Sequence, residues 1–277
     1  MITVKVNLAL SGGGIKGITH LGGLEALLEA EIEINRISGS SAGAIVAALY
    51  AAGYEIEELK EVILSKDFSS FKEAFCPIRL IRSFGLFTGK NFLAWMEDLL
   101  AKKEIKYFKD LKLDTNIITA EVSSKEKKIF SVAKTPQIEV AKAVRMSIGI
   151  PIFYIPYLFA GDYYVDGGVV NNFPLRLFKD SNYPTIGFMI ADLEDKPGEL
   201  NNLIQYISNL VKMMISVNEE YQIESSDSYI ARIETPGYID ALDFSISIQK
   251  KEMLYNIGYN SVKRLLRDEI YSFLKKL

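Results

Sequence analysis

One cysteine, one histidine and no apolar run long enough to cross a bilayer set the first limits on this 277-residue sequence. A lone Cys76 excludes an intrachain disulfide and fits a reducing compartment. The longest uncharged stretch, 146–161, is broken by Gly149, Pro151 and Pro156 and stops short of the ~20 residues a transmembrane helix needs. It reads as a loop able to touch a membrane, not to span one. Nor is there a surplus of one charge. Against 32 Lys and Arg stand 35 Asp and Glu, so no long-range field draws the chain to nucleic acid, which is not expected as a partner. Met1 leads straight into Val4, Val6, Leu8 and Leu10, without the basic start, apolar core and cleavage site of a signal peptide. The expected location is the cytoplasm. Repeats, low-complexity tracts and Pro/Gly/Ser-rich linkers are missing too, which makes one domain over 1–277 the simplest organisation. What the sequence does have is 49% hydrophobic residues, enough for a substantial core.

Apolar spacing divides that material into alternating strands and helices. Thr3 to Leu10 is a buried strand that runs into Ser11-Gly12-Gly13-Gly14-Ile15-Lys16-Gly17, and Ile18, Leu21, Leu24, Leu27 and Leu28 mark one face of a helix. Ile34 to Ile37 is a second strand, followed by Gly39-Ser40-Ser41-Ala42-Gly43 and a helix that stops at Gly53, a residue suited to a left-handed C-terminal position. This β-α-β-α start predicts an α/β fold with a mostly parallel sheet. A helix over Glu55–Lys66 follows. Regularity is then lost from Asp67 to Lys90, where Phe68, Phe71, Phe75, Phe84 and Phe87 are interleaved with Lys72, Arg79, Arg82 and Lys90; segment 67–90 is the candidate cap. Next come a helix from about Asn91 to Lys103, an antiparallel edge hairpin of Asn116–Val122 with Lys128–Val132, and a helix opened by Thr135 and Pro136 that reaches Ser147. Tyr163 to Asp166, Thr185 to Ile190 and Tyr229 to Ile233 are further strands. Leu203, Ile207, Leu210, Met214 and Val217 form one face of a long core helix, and Leu265 to Leu277 give the last helix its apolar face.

Three stretches carry chemistry. In Gly39-Ser40-Ser41-Ala42-Gly43, a strand turning sharply into a helix would lift the Ser41 hydroxyl clear of the sheet as a nucleophile, although a serine there also serves as an ordinary helix cap. The backbone N–H groups of Gly12, Gly13 and Gly14, with that of Ala42, could stabilise an oxyanion. A base must take the serine proton. His20 lies inside the first helix, in the wrong chain order for a Ser-His-Asp relay of the α/β-hydrolase kind, and reads as a structural residue at a helix surface. A carboxylate is the better candidate, and Asp166, after a strand and before Gly167 and Gly168, fits best; a plain turn aspartate is the alternative. Burial would raise its pKa toward a useful value. Gly12, Gly14 and Gly17 also match the dinucleotide fingerprint G-x-G-x-x-G, but the second strand ends in Ser38-Gly39-Ser40-Ser41 where a ribose-binding acid is needed.

Taken together and in order, Gly12-Gly13-Gly14-Ile15-Lys16-Gly17, Gly39-Ser40-Ser41-Ala42-Gly43 and Asp166-Gly167-Gly168 resemble the three signatures of the patatin-like phospholipase family, with Ser147-Ile148-Gly149-Ile150-Pro151 also in its style. The likeness runs from about Val6 to Pro174. It implies a three-layer α/β/α fold and a serine-aspartate dyad that hydrolyses fatty-acyl esters of lipids through an acyl-enzyme, with no metal or cofactor. Ser41 is then the nucleophile, Asp166 its base and 12–14 the oxyanion loop. Ser11 stands where the family often has aspartate, and Lys16, a candidate head-group contact, where arginine is common. A lipid substrate would be met at a membrane or micelle surface, with 67–90 or the aromatic residues Phe153, Tyr154, Tyr157 and Phe159 inserting there. A general esterase, thioesterase or acyltransferase using the same dyad is the alternative within enzymes, and a non-catalytic lipid-binding protein the alternative outside them.

Overall fold

Parallel strands with helices between them are what the first apolar periods require, and the computed structural model, which describes residues 4–74, 76–193, 203–224 and 226–274, has them. β1 (Val4–Leu10) leads through a 3-10 turn into α1 (Ile18–Glu29), and β2 (Ile32–Ser40) into α2 (Ala42–Ala51). Then follow α3 (Ile56–Ser65), α4 (Pro77–Ser83), β3 (Gly85–Phe87), α5 (Lys90–Lys102), β4 (Asp114–Glu121), β5 (Glu126–Ser131) and α6 (Val140–Ser147). The second half comprises β6 (Ile152–Tyr154), β7 (Tyr157–Phe159), β8 (Asp162–Asp166), α7 (Gly168–Asn171), β9 (Thr185–Asp192), α8 (Leu203–Glu224) and β10 (Tyr229–Thr235). It ends with α9 (Ile248–Leu265), prolonged through one π turn into α10 (Tyr271–Leu274).

The main sheet runs β10-β9-β1-β2-β4, every neighbouring pair parallel. Val6, Leu8, Leu10 and Ile37 are fully buried, as near-continuous apolar strands must be when both faces are covered. α1 is clasped by α9 at a close crossing: a β-carbon on Gly22 would lie 2.0 Å from the Tyr255 carbonyl oxygen, and one on Gly258 1.9 Å from that of Thr19. Antiparallel pairing enters only beyond β2, where β4 takes β5 as its hairpin partner and also pairs with β8, which in turn pairs with β7. Segment 85–87 forms a separate small parallel pair with β6.

Three expectations need correcting. The helix foreseen from Thr135 begins at Val140, because 135–138 closes a turn of its own and 136–140 is tied to 106–109 by a bridge between Tyr107 and Glu139 and by bonds from Phe108 N–H to Ile138 O and from Val140 N–H to Lys106 O. Thr135 instead closes a turn on Ser131. The supposed core face of α8 is not all core, since Met214 is 44% and Val217 63% exposed; the side chains of Leu203 and Ile207 lie outside the description, as does Leu277. Finally, segment 67–90 is ordered into α4 and β3, with Phe68, Phe71 and Phe87 buried and Phe84 exposed; Phe75 falls outside the described residues.

Candidate active site

β4 explains how two side chains 125 positions apart in the chain come to touch. One of its edges carries β5 over Asn116–Glu121. The other is shared end to end: β2 occupies it up to the pair Ser40↔Ile118, and β8, arriving from the opposite direction, takes over at Asp166↔Thr119. Consecutive residues of β4 therefore hold the C-terminal ends of two strands tip to tip. At that junction the Ser41 hydroxyl donates to Asp166 Oδ2 at 2.8 Å, with both residues buried.

The turn that frees Ser41 from β2 is strained, with φ 49° and ψ −119°. Such a conformation costs a non-glycine residue about 1–3 kcal/mol and persists only where its surroundings enforce it. Here the enforcement comes from the glycines and from α6. A β-carbon on Gly39 would lie 2.2 Å from the Gly43 carbonyl oxygen, and one on Gly43 2.5 Å from that of Leu10, so strand and helix can pass only with both bare. Ser147, at the end of α6, accepts the Ser41 N–H on its hydroxyl at 3.0 Å and donates to Ile118 O at 2.6 Å. The same segment also reaches Asp166 and its neighbour: Gly149 O accepts from Asp166 N–H at 2.9 Å, while Ser147 O accepts from Gly167 N–H at 3.3 Å. One short segment thus holds both Ser41 and Asp166.

Burial pushes the Asp166 carboxyl up to about 7, against the opposing pull of the Gly168 N–H, 2.7 Å from Oδ1, and of the Ser41 hydroxyl. A carboxylate so placed gains basicity near neutral pH, where an exposed aspartate with a pKa of about 3.9 has little.

The expected oxyanion loop needs one correction. Gly12 N–H donates to Asn172 O at 3.0 Å, so it is already engaged. Its role is spatial: a β-carbon there would lie 2.1 Å from Asn172 Oδ1 and 3.1 Å from Ser41 Cβ. Among the described residues no acceptor takes the N–H of Gly13, of Gly14, which sits at φ 56°, or of Ala42 at the start of α2. Ala42 opens α2, at a helix end whose dipole favours negative charge. Gly17 lets α2 approach, because a β-carbon on it would meet Ala42 Cβ at 2.4 Å.

A narrow cavity of about 80 Å³ opens beside Ser41, Ala42 and Gly14. The rest of its lining is apolar and includes Ile45, Ile63, Phe68, Phe71, Trp95 and Tyr154. Phe71 packs its ring 5.3 Å from those of both Phe92 and Trp95.

A family profile described as patatin-like phospholipase matches residues 8–179. The chain belongs to this family. An uncharacterised protein, R571, of Acanthamoeba polyphaga mimivirus is 33% identical over 93% of this chain and 92% of its own length. A probable lipid hydrolase, 463L, of invertebrate iridescent virus 6 is 30% identical over 61% of this chain and 62% of its own. Among solved structures, VipD from Legionella pneumophila superposes with a TM-score of 0.60 at 17% identity, over 95% of this chain and 66% of that one, which is a likeness of fold.

In this patatin-like chain two further residues differ from expectation. The ammonium of Lys16 is buried and paired with the Asp192 carboxylate at the end of β9. That pairing ties the loop to the sheet, so Lys16 is not presented to a head group. His20 is structural but not at a surface: fully buried, it bonds Ser11 O through Nε2 at 2.8 Å and stacks on Phe188, and burial pushes its pKa down to about 4. Ser147 and Asn172 had no assigned role in the sequence, since their partners, the Ser41 N–H and Ile118 O for Ser147 and the Gly12 N–H and Glu219 carboxylate for Asn172, are distant in the chain. Among the described residues no helix is long and apolar enough to cross a membrane.

Proposed function

We propose that this protein is a lipid acyl hydrolase of the phospholipase A or lysophospholipase type working through a Ser41–Asp166 dyad. The observation that carries the proposal is the 2.8 Å bond from the Ser41 hydroxyl to a buried carboxylate whose pKa is raised to about 7. Asp166 takes the hydroxyl proton as Ser41 Oγ bonds to the ester carbonyl carbon. Negative charge collects on the carbonyl oxygen, facing the N–H groups of Gly13, Gly14 and Ala42. Preorganised amides of this kind are worth ~2.7–4 kcal/mol of barrier each. When the tetrahedral species collapses, the carbon–oxygen bond to the alcohol breaks and Asp166 returns its proton to the leaving oxygen. A water then attacks the acyl-serine, with Asp166 again accepting a proton, and the fatty acid is released. The adjacent cavity receives the first carbons of the acyl chain, and a membrane or micelle surface supplies the substrate.

The cavity volume supports a second reading. About 80 Å³ is well below the ~300–1,000 Å³ of typical ligand pockets, which favours an esterase or thioesterase acting on short acyl groups. A chain-length series of nitrophenyl esters set against phospholipid vesicles separates the two. For the dyad itself, a fluorophosphonate probe is expected to label the wild type stoichiometrically and Ser41→Ala not at all, with hydrolysis by that variant falling by ~10³-fold or more. Undiminished labelling of folded Ser41→Ala would remove the nucleophile from the proposal.

A further inference from the structure

α4, which lies in the chain between the cavity-wall residues Phe68 and Phe71 and strand β3, carries side chains that the described residues leave exposed. Ile78 is 61% exposed, Ile81 80% and Phe84 65%. The two isoleucines lie one helical turn apart and share a face. Phe84, the C-terminal cap of α4, adopts a left-handed conformation at φ 63° with its ring still outside the core. Leu80 packs inward against the core, and Arg79 Nη1 donates to Leu86 O at 2.6 Å and Ala74 O at 3.3 Å, stapling both flanks of α4.

Charge adds a second feature. Residues 66–90 contain five basic and two acidic side chains in a chain whose formal net charge is −3. Both acids are already engaged locally, Asp67 with Ser69 and Glu73 with Thr88 and the Lys90 N–H. Arg82, beside Ile81, stays exposed. Apolar groups interleaved with uncompensated cations suit a surface that is anionic outside and apolar just beneath.

The same segment reaches the cavity. Phe68 and Phe71 form part of its wall. β3, directly after Phe84, pairs with β6, whose Tyr154 is another wall residue, and the Phe87 ring lies 4.9 Å from that of Phe153. Arg145, buried beneath, ties the two strands by donating to Thr88 O at 2.8 Å and Ile155 O at 3.1 Å.

We infer that α4 and Phe84 are the element by which this protein docks on an anionic lipid surface, placing the cavity mouth at that surface. A lipid layer fits these observations better than a protein partner does. Three side chains offer far less than the ~1,200 Å² a stable protein interface buries, whereas shallow insertion into a bilayer demands no complementary shape. The inference rests on the lipid-hydrolase reading above, and its test keeps the two apart.

The full chain is floated with vesicles of phosphatidylcholine alone or mixed with phosphatidylglycerol, and hydrolysis of a monomeric soluble ester, nitrophenyl butyrate, is measured in parallel. Wild type should rise with the anionic vesicles. Ile81→Ser/Phe84→Ser should lose about tenfold or more of that partitioning, with an unchanged melting temperature and unchanged turnover of the soluble ester. Arg82→Gln should weaken binding to anionic vesicles and flatten its dependence on salt. Equal flotation of wild type and the double variant would overturn the docking element, as would failure of an ester-active wild type to bind anionic vesicles. So would a change of oligomeric state in the double variant, which would make this face a contact between copies. Vesicle binding lost in the double variant alongside a wild type inert on every ester would instead retain the docking element and defeat the hydrolase reading.

Discussion

The two walls of the cavity are built on opposite plans. The wall formed by 12–17, α1 and α2 presents Ile15, Ile18, Leu21, Ile45 and Val46 from a backbone packed so closely that a single β-carbon on Gly17 or Gly43 would collide. The wall formed by 66–90 is made of large aromatic rings inside and uncovered isoleucines and arginine outside. Reacting groups and amides must be held within fractions of an ångström to act, which favours short rigid backbone contacts. An acyl chain asks only for apolar contact, which rings supply without fixing one geometry. Changes on the first wall should therefore alter turnover, and changes on the second should alter which substrate is turned over.

The largest effect is expected at Asp166. Asp166→Asn keeps the shape and removes the base, so kcat should drop by ~10³–10⁴-fold. In the wild type, a protonated Asp166 cannot accept the serine proton, and kcat/KM should fall as pH is lowered through about 7. Stability should move the other way. Between its ordinary value of 3.8 and about 7, the folded protein keeps a proton on Asp166 that the unfolded chain releases, so folding weakens as pH rises through that window. Thermal melts across it should show Asp166→Asn gaining on the wild type as pH increases; parallel curves would mean that the carboxyl is not buried uncharged.

A smaller but still kinetic effect belongs to Ser147, which touches no substrate. Ser147→Ala leaves the Ser41 N–H and Ile118 C=O without their shared partner and lets the strained turn relax. kcat should fall by ~10–100-fold with KM nearly constant, and Ser147→Thr should recover part of it. A change confined to the melting temperature would give Ser147 only a structural part. The smallest effect on rate is expected on the aromatic wall: Phe71→Ala should move the preferred nitrophenyl ester toward longer chains while altering kcat on the shortest by less than about fivefold, at a stability cost of ~3–5 kcal/mol. If the length preference stays put, Phe71 does not bound the acyl chain.

Legibility in the sequence followed the same division. β1, α1, β2 and α2 could be read from apolar period and punctuating glycines because each is decided within a few residues of itself. Ser41 and Asp166 stood out for the small residues around them. The engagement of Gly12 by Asn172, the pairing of Lys16 with Asp192 and the grip of Ser147 depend instead on which strands share an edge of β4 and on where β9 ends. Local pattern is silent on both. Thr135-Pro136 carried a proper helix-start signal and was overruled by long-range pairing of 136–140 with 106–109. The period of α8 was helical as expected, yet period reveals only that a face is apolar, not that something lies against it.

The edge of β4 shared by β2 and β8 has a further implication for how such a protein can change over generations. Ile118 and Thr119 act as adjacent marks on a ruler, and the separation of the proposed nucleophile and base is one division of it, although neither mark lines the cavity. A slip of one position would shift a partner by ~3.4 Å and turn it to the opposite side of the sheet. Activity in this architecture is accordingly hostage to insertions and deletions in a strand that contributes nothing to the reaction, while substitutions along that same strand leave the spacing intact.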